Sequence, residues 1–277
     1  MANDDLNQDM AEMSFWDHLD VLRSILFKIG GIIVVLAIVL FCLMPQIFDN
    51  VILAPCSSDF VVYKLMSAAK GAIPGAEQFA GDDFHVDLIN IQLASQFFIH
   101  MSTSFWLALV LAFPIVIYLL WGFVSPALYE HEKRHARFAF LFGNLMFYLG
   151  LAVGYFSVFP MALRFLAGYH VSELVPNTIS LDSYMDTFIM LIFIMGVVFE
   201  LPLLAWILSS IGLLRRSFFH RYRRHAVVAI LVIAALITPT SDPFTLFVVF
   251  VPVYILYEMS ALLVKKESPE ELEDAAD

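Results

Sequence analysis

The sequence predicts an all-α integral membrane protein of six transmembrane helices, both ends on the cytoplasmic side, the fifth and sixth helices short. Composition, long apolar runs and a lopsided distribution of Lys and Arg carry that prediction. Of the 277 residues, 61% are hydrophobic and 15% charged, where soluble domains run to roughly 45–50% and about 25%. The 27 phenylalanines and a mean hydropathy of +0.82 leave more apolar surface than one water-soluble core can hide, so lipid must solvate much of it.

A spanning helix needs about 20 apolar residues at ~1.5 Å each. Residues 25–44, 100–123, 138–159 and 188–214 meet that length. Two further runs, 226–237 and 243–264, are separated by Thr238-Pro239-Thr240-Ser241-Asp242, a breaker-rich turn, and so read as a helical hairpin. The fifth run reaches only about 18 Å against a hydrocarbon core of roughly 30 Å, which requires local thinning of the bilayer. Six spans place Arg23, Lys28, Lys133, Arg134, Arg137, Arg215, Arg216, Arg221, Arg223, Arg224, Lys265 and Lys266 on one side, leaving Lys64, Lys70 and Arg164 on the other. Cytoplasmic loops carry the excess of Lys and Arg, which puts both ends inside.

Residues 1–277 read as one transmembrane domain with no internal repeat. The net charge of −11 resides largely in two acidic tails, 1–13 and 267–277, whose composition suits solvated chain. The first apolar run follows some two dozen polar residues without a small-residue cleavage site, so it reads as a retained span. Cys42 lies within a span, out of reach of Cys56, so no disulfide is expected. Two outer loops, 45–99 and 160–187, are long for turns. In the first, 61–69 and 86–93 read as short amphipathic surface helices, with Gly71, Pro74, Gly75 and Gly81 as breakers.

His131-Glu132-Lys133-Arg134-His135 matches H-E-x-x-H, which sets two imidazoles on one helical face around zinc with a glutamate as base. Lys133 and Arg134 oppose a divalent cation there, and no third ligand follows. No metal site and no cofactor is therefore expected. The sequence holds no G-x-S-x-G, P-loop or G-x-G-x-x-G element for hydrolase or nucleotide-driven chemistry. Ionisable residues within spans point to function, because a charge at the bilayer centre costs about 2.5–3.5 kcal/mol even on the lenient scale. Lys28 can snorkel to the cytoplasmic end and Glu258 lies within two turns of Lys265, so both read as anchors. Glu200, in Phe199-Glu200-Leu201-Pro202, is mid-span, and Pro202 frees backbone carbonyls a turn earlier. Protonated structural glutamate and partner-binding or water-attracting group are both open readings of it.

From about Phe15 to Lys266 the chain resembles the TatC family, the multispanning receptor subunits of the twin-arginine protein translocase. The resemblance rests on His18-Leu19-Asp20-Val21-Leu22-Arg23, Ala54-Pro55, Trp121-Gly122-Phe123, Ser125-Pro126-Ala127-Leu128-Tyr129 and His131-Glu132-Lys133-Arg134. Tyr155-Phe156, Phe159-Pro160, Phe199-Glu200-Leu201-Pro202, Thr238-Pro239 and Asp242-Pro243 complete it. It implies a non-enzymatic signal-peptide receptor of a bacterial cytoplasmic (inner) membrane. Such a receptor exports folded cargo on the proton-motive force, working with small single-span subunits of the TatA and TatB type in a homo-oligomeric complex; nucleic acid has no part. It also implies that Glu132 takes the arginine pair of the signal peptide, with Phe123 on the same cytoplasmic groove and Arg23 and Glu130 beside it. A second family glutamate falls at Val21, next to Asp20, about 100° away around a helix. Glu200, Thr238 and Asp242 correspond to an intramembrane polar and partner site. Where many members have Gln after Asp242-Pro243, this chain has Thr245 and Leu246.

Two rival functions follow from single features: a zinc-dependent intramembrane protease using His131, Glu132 and His135, and a secondary transporter using Glu200. The transporter lacks the pair of corresponding broken helices such folds show. The six-span topology is checked with single cysteines and an impermeant thiol reagent on intact cells. Ser57→Cys and Ser172→Cys are expected to label from outside and Ser217→Cys to stay unlabelled; labelling at 217 overturns the model.

Overall fold

The computed structural model describes residues 15–68, 84–124, 130–172, 174, 177–210, 212–238, 240 and 242–264, with backbone alone at 15–18, 124 and 130–138. The two tails, Lys70, the breakers between 71 and 81, the 125–129 motif, Pro239, Ser241, Lys265 and Lys266 lie outside the described residues. In chain order the helices are α1 (Phe15–Ile47), α2 (Val61–Ala68), α3 (Ser95–Val124), α4 (Glu130–Val153), α5 (Phe159–Gly168), α6 (Leu181–Val198), α7 (Leu201–Ser210), α8 (Arg216–Arg221), α9 (Arg223–Ile237) and α10 (Pro243–Leu263). Two short strands, β1 (Leu88–Ile89) and β2 (Ile179–Ser180), pair in parallel.

Five stretches are long and apolar enough to cross a bilayer: Leu19–Cys56, Ser95–Phe123, Ala139–Gly168, Leu181–Ser210 and Pro243–Leu263. They contain the first four predicted spans, nearly whole, and the sixth. The predicted fifth is α9, at 15 residues about 22 Å long and below the length of a full crossing. The sixth, α10, has 21 residues. It is short beside the stretches of 29 to 38 residues formed by the first four, yet about 31 Å is enough to cross.

The chain divides into two compact units, residues 1–43 with 101–144 and residues 44–100 with 145–277. In the first, α1 and α3 show their apolar side chains outward: only 11% of the most apolar window of each is buried. Val34, Val35, Ile38 and Val39 on α1 and Phe105, Leu111 and Ile115 on α3 are exposed, which is stable only against lipid.

In the second unit, α10 packs most extensively on α7 and α9 and also meets α5. Its inward face reads Thr245, Val249, Val253, Leu256 and Ser260, a single stripe at helical spacing. The α4 helix continues through a π-turn (Gly154–Val158) into α5, and this stretch crosses α6 at backbone contact. A Cβ on Gly150 would sit 2.5 Å from the Met195 carbonyl oxygen, and one on Gly154 would sit 2.9 Å from the Ile192 Cα. Gly196 on the facing helix is closed by Phe147 and Leu151, each 3.0 Å from its missing Cβ. Small residues allow this approach, and close packing is what holds helices together where lipid removes the hydrophobic drive.

The predicted helix at 61–69 is present as α2, but 86–93 forms no helix. Leu88 and Ile89 pair instead with Ile179 and Ser180, joining the two outer loops by backbone hydrogen bonds that neither segment can supply alone. The helices also run further than their apolar runs, to Gly168 in the third span and from Leu181 in the fourth, which shortens the second loop.

Gly150→Ala is expected to destabilise the detergent-purified protein by about 1–3 kcal/mol through overpacking, read as a lower midpoint in thermal unfolding. Gly30→Ala, where nothing lies within 4 Å of the missing Cβ, serves as the neutral control. Equal midpoints would remove the α4–α6 crossing as a packing constraint.

Candidate functional site

In the first unit the residues assigned to peptide recognition lie at helix ends. Asp20 and Arg23 are exposed and three residues apart on α1, so they share a face. The Arg23 guanidinium stands 5.6 Å from the Phe27 ring centroid. Leu19, Leu22, Leu26 and Phe27 with Arg23 line an open, apolar depression of about 370 Å³. Phe123, half-buried, is the penultimate residue of α3, and Trp121 meets Phe140 edge to face at 5.1 Å. Glu130 and Glu132 occupy the first turn of α4, where unpaired backbone N–H groups favour negative charge. Their side chains lie outside the described residues, as do those of His131, Lys133, Arg134 and His135, and no contact joining Asp20, Phe123 and Glu132 is described. Among the described residues no His, Cys, Asp and Glu gather as metal ligands.

In the second unit Glu200 lies where the fourth span breaks. The helix ends at Val198 and restarts at Leu201, with Phe199 and Glu200 forming a turn. Pro202 has no N–H to continue the ladder across this point. The Glu200 Oε1 atom is buried with no hydrogen-bond partner among the described residues. Buried polar atoms almost always have partners, so Glu200 is a polar spot held inside the span.

Thr238 and Asp242 lie at the α9–α10 turn. Buried Thr238 donates its hydroxyl to the Ala234 carbonyl at 3.0 Å and so closes α9. Asp242 is the N-cap of α10, accepting from the Thr245 N–H at 2.7 Å and from the Thr240 hydroxyl at 2.7 Å. Burial pushes this carboxyl up, but the hydrogen bonds from Thr245 and Thr240 outweigh burial and hold it below the usual carboxylate range. Thr245 is wholly buried on the core stripe. No described hydrogen bond links Glu200 to this turn, so the structure gives two polar features and not one cluster.

Two further groups were not predicted. Arg164, assigned by sequence to the outer side, is buried with its guanidinium 4.9 Å from both the Tyr63 and Phe84 ring centroids. The Tyr63 hydroxyl donates to the Pro55 and Pro160 carbonyls at 3.1 and 3.2 Å, and burial raises its pKa, which keeps it a donor. At the opposite end of the unit, Glu258 is gripped by Arg223 through Nε at 2.7 Å and through Nη2. Its described partner is thus on α9, while Lys265, its neighbour in sequence, lies outside the described residues.

The family model for the Sec-independent protein translocase protein (TatC) matches residues 17–252. The chain belongs to the TatC family. The TatC protein of Blattabacterium sp. subsp. Periplaneta americana is 30% identical over 256 residues, covering 92% of this chain and 96% of its own. That of Campylobacter jejuni is 34% identical, covering 91% and 94%. Two crystal structures of the twin arginine translocase receptor TatC match with TM-scores of 0.64 and 0.67 at 27% and 28% identity, covering 89% and 90% of this chain. A TatC protein is a membrane transport component with no enzymatic step, and neither the zinc-protease nor the transporter reading gains support from these relatives.

Asp242→Ala removes the cap of α10 and is expected to cost about 0.5–2 kcal/mol in chemical or thermal unfolding. Because the folded pKa is lowered, the stabilisation is present above the unfolded value of about 3.9 and disappears as pH falls through the folded value. The wild-type and Asp242→Ala unfolding midpoints should therefore converge in strong acid, and a constant gap refutes the carboxylate cap.

Proposed function

We propose that the cytoplasmic ends of α1, α3 and α4 receive the twin-arginine signal peptides of folded cargo. The chain then nucleates a translocation site with small single-span subunits of the TatA and TatB type, in a homo-oligomeric receptor complex driven by the proton-motive force. The setting is the bacterial cytoplasmic membrane, with six spans and both termini cytoplasmic. Glu200 and the Thr238–Asp242 turn serve the partner subunits, the second through the short α9, beside which lipid must thin.

The carrying observation is the position of Glu130 and Glu132 in the first turn of α4, six residues after α3 closes at Phe123–Val124. A carboxylate at a wet helix end can take a guanidinium through two parallel hydrogen bonds, which a Lys ammonium cannot reproduce. Asp20 adds an exposed carboxylate on α1. The apolar depression lined by Leu19, Leu22, Leu26 and Phe27 suits the hydrophobic stretch that follows the arginines of such a peptide.

The Glu132 contact is worth about 1.5–3 kcal/mol, the range for hydrogen bonds to charged groups. Glu132→Ala should therefore weaken an Arg-Arg signal peptide by roughly 10- to 150-fold. Lys133, Arg134 and Arg137 repel the same peptide and push the loss toward the upper end. The test is a titration of Arg-Arg and Lys-Lys peptides against wild type, Glu132→Ala and Glu132→Gln. If Glu132→Gln prefers Arg-Arg as strongly as wild type does, recognition lies at another carboxylate, with Asp20 and Glu130 next.

A further inference from the structure

From the end of α7 into the first turn of α9 the chain carries Arg215, Arg216, Arg221, Arg223 and Arg224 within ten residues. Glu258 takes Arg223. For the other four, no carboxylate lies within ion-pair distance among the described residues, and Arg215, Arg221 and Arg224 are exposed. The turn cannot spread to relieve its own repulsion. Phe219 in α8 is buried against Ala205, Ala261 and Val264, and the Tyr257 hydroxyl donates to the Phe219 carbonyl at 2.8 Å. Phe218 and Tyr222 pack beside it at a tilt of 46° with centroids 4.7 Å apart, and the Arg221 guanidinium lies 6.0 Å from the Tyr222 ring centroid.

Val264, packed under Phe219, is also the residue from which 265–277 departs. That segment carries Lys265 and Lys266 followed by Glu267, Glu270, Glu271, Glu273, Asp274 and Asp277, a net charge of −4 against four unanswered arginines. The acidic segment therefore begins at the floor of the basic turn. A coil of eleven residues spans on the order of 17–20 Å, and a tether of that reach gives an effective concentration in the millimolar range.

We propose that residues 267–277 dock on the Arg215–Arg224 turn as an intramolecular counter-charge, covering a basic surface beside the short α9. Anionic lipid head groups offer the same turn negative charge. The tethered segment is favoured because it leaves from the turn's own hydrophobic floor and matches its charge. With the segment displaced, the turn presents four free arginines to any acidic partner.

The test uses the full chain with a benzoylphenylalanine photocrosslinker at Ala275, in nanodiscs of phosphatidylcholine with and without phosphatidylglycerol. Crosslinks are expected to map to residues 213–225 in both and to fall about fivefold or more at 1 M salt, where the Debye length shrinks to about 3 Å. They should vanish when Glu270, Glu271, Glu273 and Asp274 are changed to Lys. They should return when Arg215, Arg216, Arg221 and Arg224 are changed to Glu in the same chain. The tail substitutions leave the membrane-spanning helices untouched, so a folding failure in the turn cannot mimic this result. Crosslinks that land elsewhere, ignore salt or fail to return on charge reversal overturn the proposal. Loss only in the phosphatidylglycerol discs overturns it in favour of the lipid head group.

Discussion

A backbone carbonyl or N–H left unpaired in hydrocarbon costs several kcal/mol, and the rest of this structure depends on that constraint. Helices meet it over most of the chain. The difficulty arises where helices stop, and in the second unit the outer end of the first span is where the helix unwinds. Past Pro45 the α1 helix loosens into a π-turn at Phe48–Ile52 and then a tight 3₁₀ turn at Ala54–Cys56. Tyrosines accept the burden. Tyr155 donates to the Val51 carbonyl at 2.8 Å, Tyr184 donates to that of Ile52, and Tyr63 donates to those of Pro55 and Pro160.

Each of these rings also packs. Tyr155 meets Phe60 and Phe156 edge to face, Tyr184 meets Phe159 in the same way, and Tyr63 holds one side of Arg164. The outer end is thus built from amphipathic aromatics whose bodies are apolar and whose tips bond backbone. The parallel β1–β2 pair and the Ser95–Asp182 hydrogen bond fasten the same region by a second route.

The α7–α10 region follows the complementary rule. The short α9 cannot satisfy a full bilayer by itself, and it is fixed at both ends by polar groups. Thr238 closes it and Asp242 opens α10 at one end, while Arg223 and Glu258 clamp it to α10 at the other. A clamp that is half-exposed contributes little to stability, so its role is to set where α9 stands against α10. The surface α9 presents beside α10 then has a fixed shape.

The sequence by itself determined the membrane class, the long spans and the helical hairpin, because apolar run length against bilayer thickness is a local property. It also determined the family, because markers from His18 to Pro243 fall in order. It marked Glu200, Thr238 and Asp242 as polar positions, and Tyr155 as part of a motif. Hydropathy could not show that 86–93 gives up a helix for a strand, since the partner at 179–180 is some ninety residues away. Nor could it show that the α9–α10 packing brings Arg223 to Glu258 from 35 residues away. Arg164 reads as a loop cation until Tyr63 and Phe84 close on it, and Tyr63 reads as one aromatic among many until its hydroxyl meets two proline carbonyls. Only tertiary structure decided these, because each depends on which distant backbone groups the folded chain leaves unpaired.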